Sequence, residues 1–304
     1  MAYHADHIGH IPADAAPAQR RAALFRESLT DKAERWALGA VYALTPKRIA
    51  GLPGLGKLWF DELLAPDYAL PDPERALASP PGLAGIVHDF TQQTIIAAYR
   101  RGLYPWAHIG PLKWWSAPDR SVLFFEEFHF SKNQRKLMRQ DRYTVTFDRD
   151  FEAVIAGCAG HRQDRWHLTW ITPRIMRAYA EAFDAGHVHS YEVWNEKGEL
   201  AGGGYGLSIG GAFFAESQYS REPNTSKIAL TVLNFHLARW GYHFNDGKLM
   251  NPTSRDMGFR NIPRQSFLTR LSEAVRVPGK TGRWQVEADL KTVSHWQPEA
   301  GAGA

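Results

Sequence analysis

Cysteine is almost absent from this chain: Cys158 is the only one in 304 residues. No internal disulfide can form, and no zinc site built on clustered cysteines can be assembled. A reducing cytoplasm is the natural setting for such a sequence. No run approaches the ~18 apolar residues that a membrane helix needs. The N-terminus lacks a basic region followed by an apolar run, so no secretory signal is expected. Neither sign of charge dominates, with 36 Lys and Arg against 32 Asp and Glu. There is no internal repeat, no Walker loop, no metal triad and no Ser–His–Asp set in a recognisable context. Membrane-spanning, disulfide-stapled and P-loop classes are thereby set aside.

Aromatic residues are plentiful and unevenly placed. Residues 99–116 read YRRGLYPWAHIGPLKWWS, with three tryptophans and two tyrosines beside paired arginines. Gly102, Pro105, Gly110 and Pro111 interrupt the stretch, which reads as a loop. Flat rings beside guanidinium groups suit a stacked base or an aminoacyl adenosine. Trp114 and Trp115 read as fillers of a seam between two lobes, since tryptophan is usually buried. Trp106, after Pro105, is the better functional candidate. The segment 132–142 (KNQRKLMRQDR) carries five basic residues and one acidic one. As a helix it places Lys132, Arg135, Lys136 and Arg139 on one face, either solvated or tracking a phosphate backbone.

Residues 1–17 are rich in Ala, His and Pro and are expected to be disordered, with His4, His7 and His10 in a polar tail rather than a metal site. An Ala-rich pattern from Ala18 to Ala43 predicts one or two helices, and Gly51, Pro53, Gly54 and Gly56 predict a linker. Further on, a helix is expected from Thr91 to Gly102, a strand at Ser121–Phe125 and another at Tyr143–Phe147. Thr172 and Pro173 open a helix with the stripe Met176, Tyr179 and Phe183, closed by Gly186. Strands follow at His187–Trp194, Leu200–Leu207 and Ala212–Gln218, then a helix from about Thr225 to Trp240 and a strand at Tyr242–Met250. Meander hairpins followed by strand–helix–strand predict an α+β fold with a mixed sheet.

The glycines of 202–211 (GGGYGLSIGG) lie within a hairpin, so they mark bulges or close backbone approach rather than a dinucleotide loop. Glu216, flanked by Phe213, Phe214, Ala215 and Tyr219, is either paired structurally or kept for function, with Arg221 the candidate partner. Asp246 and Lys248, two apart on a strand, point to one face and are expected to meet.

Eight blocks in order resemble the bacterial leucyl/phenylalanyl-tRNA–protein transferase family. They are AAYRRGLYPW (97–106), KWWSAPDRSVLF (113–124), LTWIT (168–172), GHVHSYEVW (186–194), LAGGGYG (200–206), FFAESQYSR (213–221), SKIAL (226–230) and MGFRNIPR (257–264). The resemblance implies transfer of Leu or Phe from tRNA to an N-terminal Lys or Arg, marking the acceptor protein for degradation. It implies no cofactor and no metal. It also implies a small N-terminal domain beside an acetyltransferase-like (GNAT-like) mixed-sheet domain, here at 61–125 and 126–290, with an N-terminal extension at 1–60, partly disordered or helical, and a disordered tail at 291–304. By the same resemblance, Trp106, Trp170 and Ser220 line the aminoacyl-adenosine site, while Glu216 and Asp246 are catalytic. Gly204, Phe213, Leu230, Leu233 and Asn245 form the acyl pocket. Lys132, Arg135, Lys136, Arg139 and Arg142 meet the tRNA acceptor stem.

The sequence also departs from the pattern. The family's Asp–x–Gln becomes Asp246–Gly247–Lys248, and a charged lysine cannot accept a hydrogen bond. Lys248 then donates to an oxyanion, redirects the acceptor, or neutralises Asp246 and leaves a protein that binds aminoacyl-tRNA without transfer. Gly204 and Asn245 stand where the family is apolar and bulky, and Leu233 replaces an aromatic, which implies a larger or more polar pocket. An acyl-CoA-dependent N-acyltransferase is the other enzymatic reading. The helix after Arg221 opens REPNTSK, without the pyrophosphate loop that reading requires.

Overall fold

The computed structural model describes residues 16–49, 51–64, 68–107, 110–160 and 169–298. His4, His7 and His10 and the expected disordered start up to residue 15 lie outside them, while Pro17, its expected end, opens a helix. The chain divides into two compact units, one of residues 1–118 with 159–178, the other of 119–158 with 179–304.

The first unit opens with helices Pro17–Leu24 and Leu29–Ala43. Ser28 and Asp31 form a capping box at the start of the second. Pro53, Gly54 and Gly56 of the expected linker lie instead in a helix, Leu52–Leu64. Pro53 sits in its first turn, where a missing N–H costs nothing, and a Cβ on Gly54 would collide with the Ser79 carbonyl. The aromatic block is likewise not a loop. Strands β1 (Leu83–Ile86), β2 (Tyr104–Trp106) and β3 (Lys113–Trp115) make an antiparallel sheet in the order β1-β3-β2. Pro105 is accommodated because β2 is an edge strand. Trp114 and Trp115 are buried on the central strand.

The second unit is built on seven strands: β4 (Asp119–Leu123), β5 (Tyr143–Phe147), β6 (Val188–Asn195), β7 (Leu200–Ile209), β8 (Ala212–Ser220), β9 (Phe244–Lys248) and β10 (Arg260–Pro263). Their order is β10-β4-β9-β8-β7-β6-β5. Only β8 and β9 run parallel, joined through helix Thr225–Arg239, so the sheet is mixed. The strand expected at Ser121–Phe125 belongs here, which puts the unit's start at Asp119 rather than after 125. Helix Thr225–Arg239 is buried along most of its length, from Ile228 to Leu237. It packs with Leu123, Phe147, Val193, Phe213 and Trp284 in one core. Part of the expected disordered tail is ordered too. Asp289 caps a helix at Leu290–Ser294, Val293 is buried, and Trp296 stacks on Phe128 with ring centroids 5.0 Å apart. Apolar residues three apart are enough to dock so short a segment.

One carboxylate is enclosed in this core. Glu192 on β6 accepts from Ser190 Oγ and Thr146 Oγ1, each at 2.6 Å. Burial pushes its carboxyl up to about 7, from an ordinary 4.5. The unfolded chain therefore releases this proton at lower pH than the folded one. Stability falls as pH rises from about 4.5 to about 7 and is level above that. The contribution is about 3 kcal/mol. Urea unfolding at pH 5 and pH 8 should show that decline, and Glu192→Gln should remove it.

Candidate functional site

Two β-bulges stand on neighbouring strand pairs. In the pairing of β4 with β9, Ser121 faces Lys248 and Val122 faces Asp246, which leaves Gly247 as the extra residue. In the pairing of β7 with β8, Tyr205 faces Ser217 and Gly206 faces Ala215, which leaves Glu216 as the extra residue. A bulge re-aims the side chains around it. Asp246 and Glu216, the two acids singled out by sequence, both stand at such points.

Asp246 is fully buried. Arg120 on β4 grips it with Nε to Oδ1 at 2.9 Å and a terminal nitrogen to Oδ2 at 2.7 Å. The guanidinium lies over the Phe267 ring, 4.5 Å from its centroid. Oδ1 also accepts the backbone N–H of Lys248 at 2.8 Å. That contact curls the chain so that Lys248 has φ +62°, in the left-handed region. The expected pairing of Asp246 with the Lys248 ammonium does not form, because the bulge and this turn break strand alternation. The Lys248 ammonium instead reaches Glu216 Oε1 at 2.7 Å and the Ala215 carbonyl. Tyr179 donates its hydroxyl to Glu216 Oε2 at 3.0 Å. Arg221, the expected partner of Glu216, donates to the Leu200 carbonyl and lies over Tyr219.

The acyl-pocket candidates are all buried. Phe213, Leu230 and Leu233 belong to the core beneath helix Thr225–Arg239. Gly204 does not leave an enlarged hollow: Tyr191, its partner on β6, occupies the space. A Cβ on Gly204 would stand 2.5 Å from Tyr191 Oη and 2.6 Å from its ring. Asn245 donates Nδ2 to Asn234 Oδ1 at 2.8 Å. Among the described residues, Asn245 Oδ1 and Asn234 Nδ2 have no hydrogen-bond partner, each at a cost of about 1–3 kcal/mol. Burial pushes the Tyr191 and Tyr205 phenols well above their ordinary range, so both stay protonated at neutral pH.

The remaining candidates stand on other elements or at the end of β8. The basic helix spans Lys132–Met138, shorter than the segment to Arg142. Arg135 is turned inward, donating to the Ser294 and Trp296 carbonyls at 2.7 and 2.9 Å over the Phe130 ring. Lys132, Lys136, Arg139 and Arg142 are exposed. Ser220 bonds to Ser226 Oγ at 2.8 Å and accepts the Ser226 N–H at 3.0 Å, at the start of the long helix. In the first unit, Trp106 and Trp170 are half-buried. Trp106 meets Trp115 edge-on at 5.7 Å and accepts its indole N–H on the main-chain carbonyl. Opposite Trp106, burial pushes the Lys113 ammonium down to about 8.

Sequence reasoning did not single out Arg120, Tyr179 as a partner of Glu216, Tyr191 or Asn234. Arg120 carried a signal, a cation at the head of the apolar strand run RSVLF. Among the described residues, no three His, Cys, Asp or Glu side chains are grouped as a metal site requires. The arrangement offers an ammonium and a phenol around one carboxylate, with a second carboxylate held by a guanidinium on the neighbouring strand.

The family model described as leucyl/phenylalanyl-tRNA protein transferase matches residues 122–272. The model of that protein's N-terminal domain matches residues 88–118. The leucyl/phenylalanyl-tRNA–protein transferase of Azotobacter vinelandii is 43% identical, covering 71% of this chain and 95% of its own length. The proteins of the same name from Pseudomonas syringae pv. syringae and Alkalilimnicola ehrlichii are 44% and 37% identical, with 90% and 91% of their lengths covered. Shares of this chain are 68% and 78%. A solved structure of L-PGS from Bacillus licheniformis matches at TM-score 0.31 and 14% identity, over 44% of this chain and 46% of that one, too slight a likeness to bear on the fold.

The Arg120–Asp246 pair yields a stability test. Arg120→Met leaves a buried carboxylate uncompensated and should cost about 3–5 kcal/mol in urea unfolding. Adding Asp246→Leu should recover a large part of that loss, since an apolar pair has no charge to desolvate.

Proposed function

The chain belongs to the leucyl/phenylalanyl-tRNA protein transferase family, and on that footing we propose that it moves an amino acid from the 3′ end of a charged tRNA to the N-terminal amine of a protein. The observation that carries the reading is the pair of bulges that bring Glu216 and Lys248 to one contact while Arg120 fixes Asp246 beside them. In the family's pathway the product is marked for degradation, and the cytoplasm is the proposed setting.

An aminoacyl ester is already activated, so alignment supplies most of the catalysis and no cofactor is called for. The α-amine titrates near ~8 and attacks in its neutral form. Its nitrogen forms the bond to the ester carbon, the ribose oxygen leaves with the electrons of the broken bond, and an amine proton ends on that oxygen. Glu216 is assigned to orient the amine and relay that proton. Lys248 is assigned to donate to the developing oxyanion, a role its lost acceptor capacity does not impair. Asp246, held by three donors in a dry site, acts as a positioning residue for the end of β9 rather than as the base.

Trp106 and Trp170 are assigned to the terminal adenosine, and Lys132, Lys136, Arg139 and Arg142 to the acceptor stem; Ser220 is left to its bonds with Ser226. Arg135 is left to its internal bonds. We take β8, the long helix and β9 as the acetyltransferase-like core. Residues 1–60 are an extension ahead of a small N-terminal domain that ends at Pro118.

Single-turnover transfer from a panel of charged tRNAs to Arg-, Lys- and Glu-starting peptides should give product with at least one pair, and silence from every pair would end the reading. Glu216→Gln and Lys248→Gln should each lower the rate by at least about tenfold; a rise with Lys248→Gln on Arg peptides would show instead that the lysine redirects the acceptor. Trp106→Ala should raise KM for charged tRNA about tenfold without a matching fall in kcat, as loss of one stacked base implies.

A further inference from the structure

The acyl pocket assigned by family position holds polar atoms from two directions. Tyr191 lays its ring and Oη over the bare Cα of Gly204. Asn245 stands in register with Leu123 on one neighbouring strand and Phe213 on the other, both fully buried. Its amide reaches across to Asn234 on the long helix with one bond only. Two facing amides can close two bonds, and this pair closes one. This pair leaves one acceptor, Asn245 Oδ1, and one donor, Asn234 Nδ2, without partners among the described residues. Both residues are fully buried. Buried polar atoms of this kind are normally matched by a group of the complementary sense.

We propose that this pocket selects a donated amino acid whose side chain ends in a neutral group able both to donate and to accept a hydrogen bond, a phenol or a carboxamide, over apolar Phe and Leu. The proposal rests on the transferase reading above and names the substrate class of that same site. A charged head would enter a pocket whose named lining, Tyr191, Phe213, Leu230, Leu233, Asn234 and Asn245, holds no countercharge, so it is rejected. An apolar head of equal size would leave the amide atoms unmatched, and a site built to bond a polar group discriminates strongly against the analogue that lacks it.

One acceptor-stem RNA, acylated chemically with Tyr, Phe, Gln or Leu, separates these cases when each is offered with the same Lys-starting peptide. The expected result is a kcat/KM for Tyr over Phe, or for Gln over Leu, of at least about tenfold. The Tyr arm reports a phenol site and the Gln arm a carboxamide site. Ratios at or below one in both arms overturn the proposal and leave the transferase reading intact. No product from any of the four overturns that reading and this one together. The double change Asn234→Leu with Asn245→Leu replaces both amides by apolar groups and should bring the favoured ratio to one or below. A ratio unmoved in a folded double variant would show that the amides only hold helix to sheet, and the wild-type ratios decide the matter even if that variant does not fold.

Discussion

A guanidinium and a carboxylate with almost no access to water hold β4 to β9 in the large sheet. Arg120 and Asp246 lie far apart in sequence yet meet through two hydrogen bonds across β4 and β9. Burying such a pair costs desolvation that the attraction only roughly offsets, so its contribution is positional more than stabilising. With both carboxylate oxygens claimed, Asp246 also captures the Lys248 amide, and that capture sets the left-handed turn. The turn sends the lysine ammonium across to Glu216 on the next strand. Remove the guanidinium and each later contact loses its reason.

Much of this architecture was legible. The strands and helices from Pro173 to Lys248 follow their apolar periodicities, and the mixed sheet follows from meander and strand–helix–strand order. The family blocks carried the rest of the identification, because motif order and spacing survive where individual contacts do not. Composition misled in three places. Pro53, Gly54 and Gly56 read as a linker, but a proline in a first turn and glycines under close contact are compatible with a helix. The aromatic block read as a loop because Pro105 and Pro111 hid two short strands. Val293 and Trp296 were too few to announce a docked tail.

The site was harder to read for a definite reason. Period-two alternation assumes an unbroken ladder, and both acids stand where the ladder gains a residue. Asp246 and Lys248 therefore do not share a face, and the cation at the head of RSVLF marked Arg120 without naming Asp246 as its partner. Gly204 shows the same limit. A missing side chain reads as space, whereas the space belongs to Tyr191 on the adjacent strand. Such exchanges between neighbouring strands are invisible until register is known.

The inward turn of Arg135 divides the basic segment into two kinds of cation. Its donors hold the Ser294 and Trp296 carbonyls, so it has little left to give a phosphate. Of the segment proposed to meet the acceptor stem, only Lys132, Lys136, Arg139 and Arg142 are left to displace condensed counterions. In that proposed complex the ionic-strength dependence would draw on four positive side chains from this segment rather than five, and a shallower slope on a log–log plot would be the thermodynamic imprint of one arginine committed to the fold.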